Sequence, residues 1–388
     1  MDKGFTRVSS NLIPVTERSS SFRADIQGLR AIAILLVIAL HMNLTGFSAG
    51  YIGVDIFLVV SGYVITLSIQ KKPARRVLRN LAEFWRSRFV RIFPVAALVI
   101  CVTVLASYFL SGKAFNDDLL DDARWATFYA TNFQLINTGA NYFIEGLDKS
   151  LLTHYWALAV EQQFYLVYPV IVFSITWLSS EKHRKIVLRA LLVLVILLSS
   201  YWSITQTIID PVASYFSPLT RFWELAVGGL LATFATTTKF RYAGILGLAL
   251  LLGSMFVFNS QTSYPGFLAW VPVIGTGLLL WAPLNPLGIA PLRYLGDISY
   301  SLYLWHFIWL VLPTQIENPI TEPGMSWVFL LGALGCSVVT YHLFERPIHR
   351  SLSLKTDSYS ALTVGVISLA TAWLVIALVE NLWLRSIL

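Results

Sequence analysis

The sequence predicts an all-α integral membrane protein with eleven transmembrane helices. Its composition is the first observation: 56% of the 388 residues are hydrophobic and 13% are charged, and the mean hydropathy is +0.67. Such values exclude a soluble globular domain. The second observation is a series of apolar runs of about 17 to 25 residues, the length that crosses a bilayer as a helix. The third is that Lys and Arg collect in alternate loops, which is typical of multi-pass proteins.

The apolar runs define the predicted spans in chain order. The first follows a polar segment that contains Arg and Ser, and no small-residue cleavage site accompanies it, so we predict an uncleaved span. The eighth run carries Pro265 and Pro272 and the ninth is short, so a re-entrant segment is the alternative for each. The predicted spans are 29–46, 53–70, 92–111, 152–178, 186–206, 219–236, 241–258, 266–282, 298–313, 326–344 and 361–384.

The basic residues predict that the amino terminus is cytoplasmic. Loops on that side hold most of the Lys and Arg residues, whereas the long outer loop at about 112–151 is acidic. The odd number of spans then places the carboxyl terminus in the periplasm. The net charge of +7 is explained by this topology, and we expect no nucleic-acid partner because the basic residues form no extended surface.

The sequence contains no motif for a metal or a disulfide. Cys101 and Cys336 both fall inside predicted spans, so neither a disulfide framework nor a metal site is expected. Gly-rich phosphate loops, His-Glu-x-x-His and Cys-x-x-Cys signatures are missing from the sequence, as is an internal repeat of the kind that many transporters carry.

Arg30 and His41 share the first predicted span. Eleven residues apart on a helix, they lie on one face and about 16 Å from each other along the axis. Burying such groups in hydrocarbon costs several kcal/mol unless they face a polar cavity or a partner. The alternative is that Arg30 extends to the cytoplasmic interface while His41 makes a single interhelical hydrogen bond. The pair is nevertheless the first candidate for a functional site.

Further polar residues occur at the outer ends of other predicted spans. His154 and Glu161 are seven residues apart, which puts them on one face of the fourth span. Polar residues at a common depth favour one outward-facing cavity over unrelated helix-to-helix bridges. The residues expected at this cavity are His41, Asp55, His154, Glu161, Arg221 and Glu224.

The loop between the second and third spans carries eight basic residues against Glu83. Much of this charge can be a topology signal alone. Arg88 and Arg91, however, are i, i+3 neighbours at the mouth of the third helix, with Arg86 close by. Guanidinium groups in this arrangement suit a phosphate, so we expect these three residues to bind a phosphorylated cytosolic donor.

Six stretches of the sequence, in order, carry a resemblance to the membrane acyltransferase 3 family, and especially to bacterial O-acetyltransferases of surface glycans. The stretches are FRADIQGLRAIAILLVIALH, GYIGVDIFLVVSGYVIT, FWRSRFVRIFP, HYWALAVEQQFYLVYP, RFWELAVGGLLA and LRYLGDISYSLYLWHF. The resemblance covers residues 22 to about 347. It implies a ten-helix acyltransferase bundle in a bacterial inner membrane, to which the eleventh helix is added.

The resemblance also implies a reaction and its residues. The donor would be cytosolic acyl-CoA, most simply acetyl-CoA, and the acceptor a hydroxyl of lipopolysaccharide O-antigen, an exopolysaccharide or a similar glycan. The family's essential Arg and His, separated by ten residues, correspond to Arg30 and His41, and its Arg-x-x-Arg element to Arg88 and Arg91. Many relatives have a second glutamate where this chain reads WALAVEQQFY, so Glu161 alone would carry the acidic role.

Four segments are predicted: a cytoplasmic amino-terminal segment at 1–27, a transmembrane acyltransferase domain at 28–347, a cytoplasmic linker at 348–360 and an additional transmembrane helix at 361–388. Some members of the family continue into a periplasmic SGNH-type domain. This sequence contains none, so we expect such a domain to be missing or supplied separately.

A mechanism follows as a hypothesis. Arg88 and Arg91 hold the donor phosphates, and the pantetheine arm passes Arg30 toward His41. His41 acts as general base on the acceptor hydroxyl, or as a transient acyl carrier, with Asp55 or Glu161 orienting its imidazole. The candidates for the donor to the oxyanion are Tyr165, Tyr300, Ser301, Tyr303 and His306. For the aromatic residues among them the alternative is an anchor near a membrane interface. The residues expected to bind substrate are His154, Tyr165, Arg221, Glu224, Tyr300 and His306.

Two other classes of function remain open at this stage. Intramembrane charges also occur in transporters and flippases, here for a glycan-linked or acyl-linked lipid. A sensor or scaffold that binds lipid or glycan without turnover is the third class.

Overall fold

The computed structural model describes residues 23–72, 76–110, 115–140, 150–237, 240–316, 320, 322, 324–351, 354 and 358–387. Within these ranges the regular structure is helical throughout, which confirms the predicted all-α fold. Most of the predicted segment 1–27 lies outside the described residues, as do parts of the long outer loop and of the linker 348–360. The helices are α1 (Ala24–His41), α2 (Ile52–Gln70), α3 (Val77–Leu110), α4 (Asp117–Thr127), α5 (Thr131–Asn137), α6 (Tyr155–Leu178), α7 (Arg184–Ile209), α8 (Pro211–Phe216), α9 (Phe222–Leu231), α10 (Arg241–Val257), α11 (Trp270–Trp281), α12 (Ala290–Gln315), α13 (Met325–Thr340), α14 (Arg346–Arg350) and α15 (Ser358–Ile387).

Each predicted span corresponds to an apolar helix. Eight of the described helices are long and apolar enough to cross a membrane, where α13, a π-helical turn and α14 count as one. The ninth predicted span is a continuous helix of 26 residues, so the re-entrant alternative does not apply to it. Together with the family shown below, these helices make the chain a multi-pass membrane protein of bacteria.

Three predicted spans form helices shorter than expected. α9, α10 and α11 contain 10, 17 and 12 residues, and α9 packs between α2 and α7. Arg221 and Trp223 at the start of α9 are buried in protein, so side chains and other backbone groups can satisfy the amides at that end. Composition alone cannot distinguish such a helix from a full span.

Three of the described helices were not predicted from the sequence patterns. α4 and α5 lie within the predicted long loop, and α8 precedes α9. The side chain of Asn116 caps α4 by accepting from the Leu119 amide at 2.9 Å, and that of Asp210 caps α8 by accepting from the Ala213 amide at 2.9 Å. These caps satisfy amides that would otherwise be unpaired at the helix starts.

α15 packs along α3 and reaches the outer helix α4. Arg124 of α4 and Glu380 of α15 form an ion pair at 2.6 Å, and the rings of Phe128 and Trp373 pack with centroids 5.5 Å apart. The additional helix is therefore joined to the bundle at the membrane interior and at its outer end.

Glycines allow α2 and α9 to approach each other closely. A Cβ on Gly62 would lie 1.8 Å from the carbonyl oxygen of Leu225, and one on Gly228 would lie 1.9 Å from that of Val59. The two backbones are therefore in direct contact, as small residues permit in membrane helix pairs.

We expect Gly62→Ala to lower the free energy of unfolding by roughly 1–3 kcal/mol, because the added methyl group forces α2 and α9 apart. Gly253→Ala on α10 is the matched control, since its Cβ would meet no atom within 4 Å. Thermal unfolding of both variants in nanodiscs measures the difference. Equal midpoints would contradict the close packing of α2 and α9.

Candidate active site

The predicted site residues fall into three neighbouring groups rather than one outward-facing cavity. We call them the histidine cluster (His41, His154 and His306), the buried ion cluster (Asp55, Arg221 and Glu224) and the basic cavity, whose cationic residues are Arg30, Arg88 and Arg91.

The hydrogen bonds of the histidine cluster set the protonation of its rings. His306 Nδ1 lies 2.7 Å from the carbonyl oxygen of Tyr303. A carbonyl oxygen only accepts, so Nδ1 of His306 carries the hydrogen and Nε2 of the neutral ring is an acceptor. His41 Nδ1 is 3.1 Å from this Nε2 and therefore donates to it. In the resulting tautomer, Nε2 of His41 is unprotonated and basic.

His154 completes the cluster at the start of α6. Its Nε2 donates to the carbonyl oxygen of Leu304 at 3.2 Å, and its ring centroid is 5.8 Å from that of His306. Phe307 packs against the rings of His41 and His154, and its ring centroid is 4.9 Å from the first and 5.0 Å from the second. Three imidazoles from α1, α12 and the residue before α6 thus meet in one buried place, as the sequence predicted for His41 and His154.

The buried ion cluster joins α2 to α9. Arg221 Nη1 donates to Asp55 Oδ1 at 3.2 Å and to Glu224 Oε1 at 3.0 Å, and all three side chains are at most 1% exposed. The rings of Trp156, Tyr215 and Tyr264 surround the guanidinium group with centroids 4.8–5.6 Å from its carbon atom. Pairing of this kind offsets the cost of burying the charges.

The predicted orientation of His41 by Asp55 or Glu161 is wrong. Asp55 pairs with Arg221, and Glu161 accepts hydrogen bonds from Ser61 and Tyr165. The structure gives the position beside His41 Nδ1 to His306, which the sequence placed among the substrate-binding residues. Each carboxylate is held by the nearest donors on neighbouring helices, and helical spacing in one segment does not reveal those donors.

The basic cavity has a volume of about 110 Å³ and lies between α1, α2, α3, α6 and α12. Its wall on α2 extends from Val54 to Ile65, a distance of about 16 Å along that helix. Arg30, Arg88 and Arg91 contribute positive charge, whereas most of the α2 wall is apolar. Arg86, which was predicted with them, does not line the cavity.

The positive charges of the three guanidinium groups in the cavity are poorly compensated by nearby acceptors. Among the described residues none of them lies within 4.0 Å of a carboxylate oxygen. Arg30 donates to Gln27 Oε1 at 3.2 Å, and the Arg88 guanidinium carbon is 5.4 Å from the ring centroids of both Phe84 and Tyr165. Arg88 Nε is buried without a hydrogen-bond partner. Such a site favours an anionic ligand.

Sequence reasoning missed two serines of this cavity. Ser61 of α2 donates to Glu161 Oε1, and Ser299 of α12 is fully buried with no hydrogen-bond partner for its Oγ atom in the described structure. Both line the cavity. The signal in the sequence was a hydroxyl in the middle of an apolar run, which is common in membrane helices and therefore weak.

The predicted oxyanion donors are engaged elsewhere. Tyr300 donates to the carbonyl oxygen of Ile92 at 2.7 Å, Ser301 to Glu345 Oε2 at 2.7 Å, and Tyr303 to the carbonyl oxygen of His154 at 2.7 Å. Tyr300 and Tyr303 also line the cavity. They are therefore buried contacts of the site, and the alternative that they are interface anchors does not apply.

A family model described as an acyltransferase domain, Acyl_transf_3, matches residues 23–342. The chain belongs to the acyltransferase 3 family. The match includes the histidine cluster, the buried ion cluster and the basic cavity, and it ends before α15. No solved structure matches the chain.

Among the relatives within this family are peptidoglycan O-acetyltransferase OatA of Listeria monocytogenes, 31% identical over 87% of this chain, and O-acetyltransferase OatA of Staphylococcus aureus, 30% identical over 86%. A putative peptidoglycan O-acetyltransferase, YrhL of Bacillus subtilis, is 28% identical over 89%. The matches cover 57%, 58% and 60% of these relatives, so the chain spans less than two thirds of their length.

We expect Arg221→Leu to lower the free energy of unfolding by about 3–5 kcal/mol, because two buried carboxylates lose the cation that pairs with both of them in the described structure. Arg124→Leu is the control, since its pair with Glu380 is partly exposed and contributes less than about 1 kcal/mol. Denaturant unfolding in micelles compares the two. Equal losses would contradict a structural role for the buried ion cluster.

Proposed function

We propose that this chain transfers an acyl group, most simply acetyl, from cytosolic acyl-CoA to a hydroxyl of a cell-surface glycan. One observation carries the proposal. Three arginines converge on a buried cavity without carboxylate partners among the described residues, and Tyr303 connects that cavity to the histidine cluster.

The donor half of the proposal rests on charge and shape. Acyl-CoA combines phosphates with a long, largely apolar pantetheine arm. Arginine forks bind phosphate oxygens through two parallel hydrogen bonds, and the apolar α2 wall suits the arm and the acyl group. In the orientation that the basic loops predict, Arg88 and Arg91 lie in the cytoplasmic half of α3, where the phosphates of a cytosolic donor would enter.

The acceptor half rests on the imidazole pair. His41 Nε2 is the basic nitrogen, and it can take the proton of an attacking hydroxyl. The bond from His41 Nδ1 to His306 holds the ring and its tautomer, and it stabilises the positive charge that forms when Nε2 is protonated. His306 is thus a positioning residue in this proposal.

The names of the relatives bear on the acceptor. Two of the three are named as peptidoglycan O-acetyltransferases, so we propose peptidoglycan or a similar periplasmic glycan rather than lipopolysaccharide O-antigen. A hydroxyl approaching from the outer face would meet His41 at the last turn of α1.

The transporter alternative has less support. Asp55, Arg221 and Glu224 pair with one another in a buried contact between α2 and α9, which leaves these three charges unavailable to a passing molecule. A charge that lines a path must instead be available to the passing molecule.

We expect His41→Ala to lower kcat for glycan O-acetylation by about 10²- to 10⁴-fold, since a general base contributes that much. His183→Ala, which removes an exposed imidazole near the start of α7, is the control. The measurement is acetyl-ester content of glycan from a deletion host that carries each variant at equal membrane levels. Unchanged esters with His41→Ala would remove this residue from catalysis.

We expect Arg88→Ala and Arg91→Ala each to raise the KM for acetyl-CoA by roughly tenfold or more, because a hydrogen bond to a charged group contributes about 1.5–3 kcal/mol. Arg79→Ala is the control on the same helix, since its side chain is exposed and paired with Glu83. Initial rates of purified protein against both substrates give the result. An effect confined to the KM of the acceptor would contradict the assignment.

A further inference from the structure

Ser61 occupies an unusual position for a membrane serine. It is the tenth of the 19 residues of α2, so it lies about 14 Å from either end of the helix. Hydroxyls in apolar helices commonly donate to a carbonyl one turn earlier in the same helix. Ser68 does so, with its Oγ 2.8 Å from the Ile65 oxygen. Ser61 donates across the cavity to Glu161 of α6 instead.

We propose that Ser61 is a catalytic nucleophile that takes the acyl group from acyl-CoA before the glycan receives it, an inference that rests on the proposed function. Glu161 is the adjacent base that a serine nucleophile needs. Tyr165 donates to the same carboxylate oxygen and holds it in place. Base and nucleophile therefore face each other inside the cavity that the three arginines line.

The same cavity supplies a donor for a developing oxyanion. Ser299 Oγ is buried and has no hydrogen-bond partner in the described structure, and Ser299 lines the cavity. Preorganised donors of this kind stabilise the negative oxygen that forms when a hydroxyl adds to a thioester carbonyl.

The base for the acceptor lies outside this cavity, which favours an acyl carrier over direct transfer. Neither His41 nor His306 lines the cavity. Phe57 and Tyr303 do, with ring centroids 6.1 Å apart, and Tyr303 also packs against His306 at 5.5 Å. Tyr303 therefore lies between the cavity and the histidine cluster, and Phe57 is one helical turn before Ser61 on α2.

The two half-reactions balance. In the first, Ser61 Oγ attacks the thioester carbon and gives its proton to Glu161, the C–S bond breaks, and the CoA thiolate leaves and takes a proton from cytosolic water. In the second, the acceptor oxygen attacks the serine ester and gives its proton to His41. The bond from the carbonyl carbon to Ser61 Oγ breaks, Oγ regains its proton from Glu161, and His41 releases its proton to the outer solution.

The test is acyl trapping on the purified full chain in nanodiscs. The protein is mixed with radiolabelled acetyl-CoA without acceptor and quenched in acid, and its peptides are analysed by mass spectrometry. We expect one acetyl group on the peptide that contains Ser61, and its loss in Ser61→Ala. Ser68→Ala, two turns away on α2, should label as the wild type does. Ser61→Cys should form a thioester at the same position that neutral hydroxylamine cleaves.

Turnover with a glycan acceptor separates this inference from the proposed function. We expect Ser61→Ala to lower kcat by at least 100-fold while its thermal midpoint stays at that of Ser68→Ala, which excludes misfolding. If wild-type protein transfers acetyl groups but Ser61 is unlabelled, or if Ser61→Ala retains turnover, Ser61 is not the carrier although the proposed function stands. Wild-type protein that neither consumes acetyl-CoA nor acetylates glycan would overturn both.

Discussion

The cost of an unpaired charge inside a membrane governs this structure. Each buried ion must find a partner, a cavity or water, because the bilayer offers none of these. The protein uses two solutions within one bundle. Asp55 and Glu224 share the Arg221 cation and join α2 to α9, whereas Arg30 and Arg88 line a cavity without a carboxylate partner in the described residues. The first arrangement stabilises the fold, and the second leaves charge available for a ligand.

α2 links these two arrangements. Near its outer end Asp55 belongs to the buried ion cluster, and in its middle Ser61 contacts Glu161 within the cavity. Glycine contacts fix α2 against α9, so the position of the serine depends on the same packing as the ion cluster. The proposed transfer reaction needs such a rigid element, because small displacements of reacting groups reduce rates strongly.

The sequence predicted the helices better than it predicted which polar side chains contact one another. The eleven apolar runs each form a helix, since length and hydropathy are local properties of the chain. The helices α4, α5 and α8 were missed because they are short, with 11, 7 and 6 residues, and side-chain caps mark α4 and α8 but not α5. Arg30 and His41 were predicted as a pair on one face of α1. The structure places Arg30 in the basic cavity and His41 beside His306, 265 positions away in the chain.

The sequence by itself determined that this chain is a multi-pass helical membrane protein of the acyltransferase 3 family, because composition, hydrophobic periodicity and ordered motifs are all readable along the chain. Only the tertiary structure decided which polar groups meet. It gave Asp55 to Arg221 rather than to His41, and it brought Ser61 to Glu161. A buried polar group bonds to the nearest donor on any neighbouring helix, and that donor is fixed by how the helices pack.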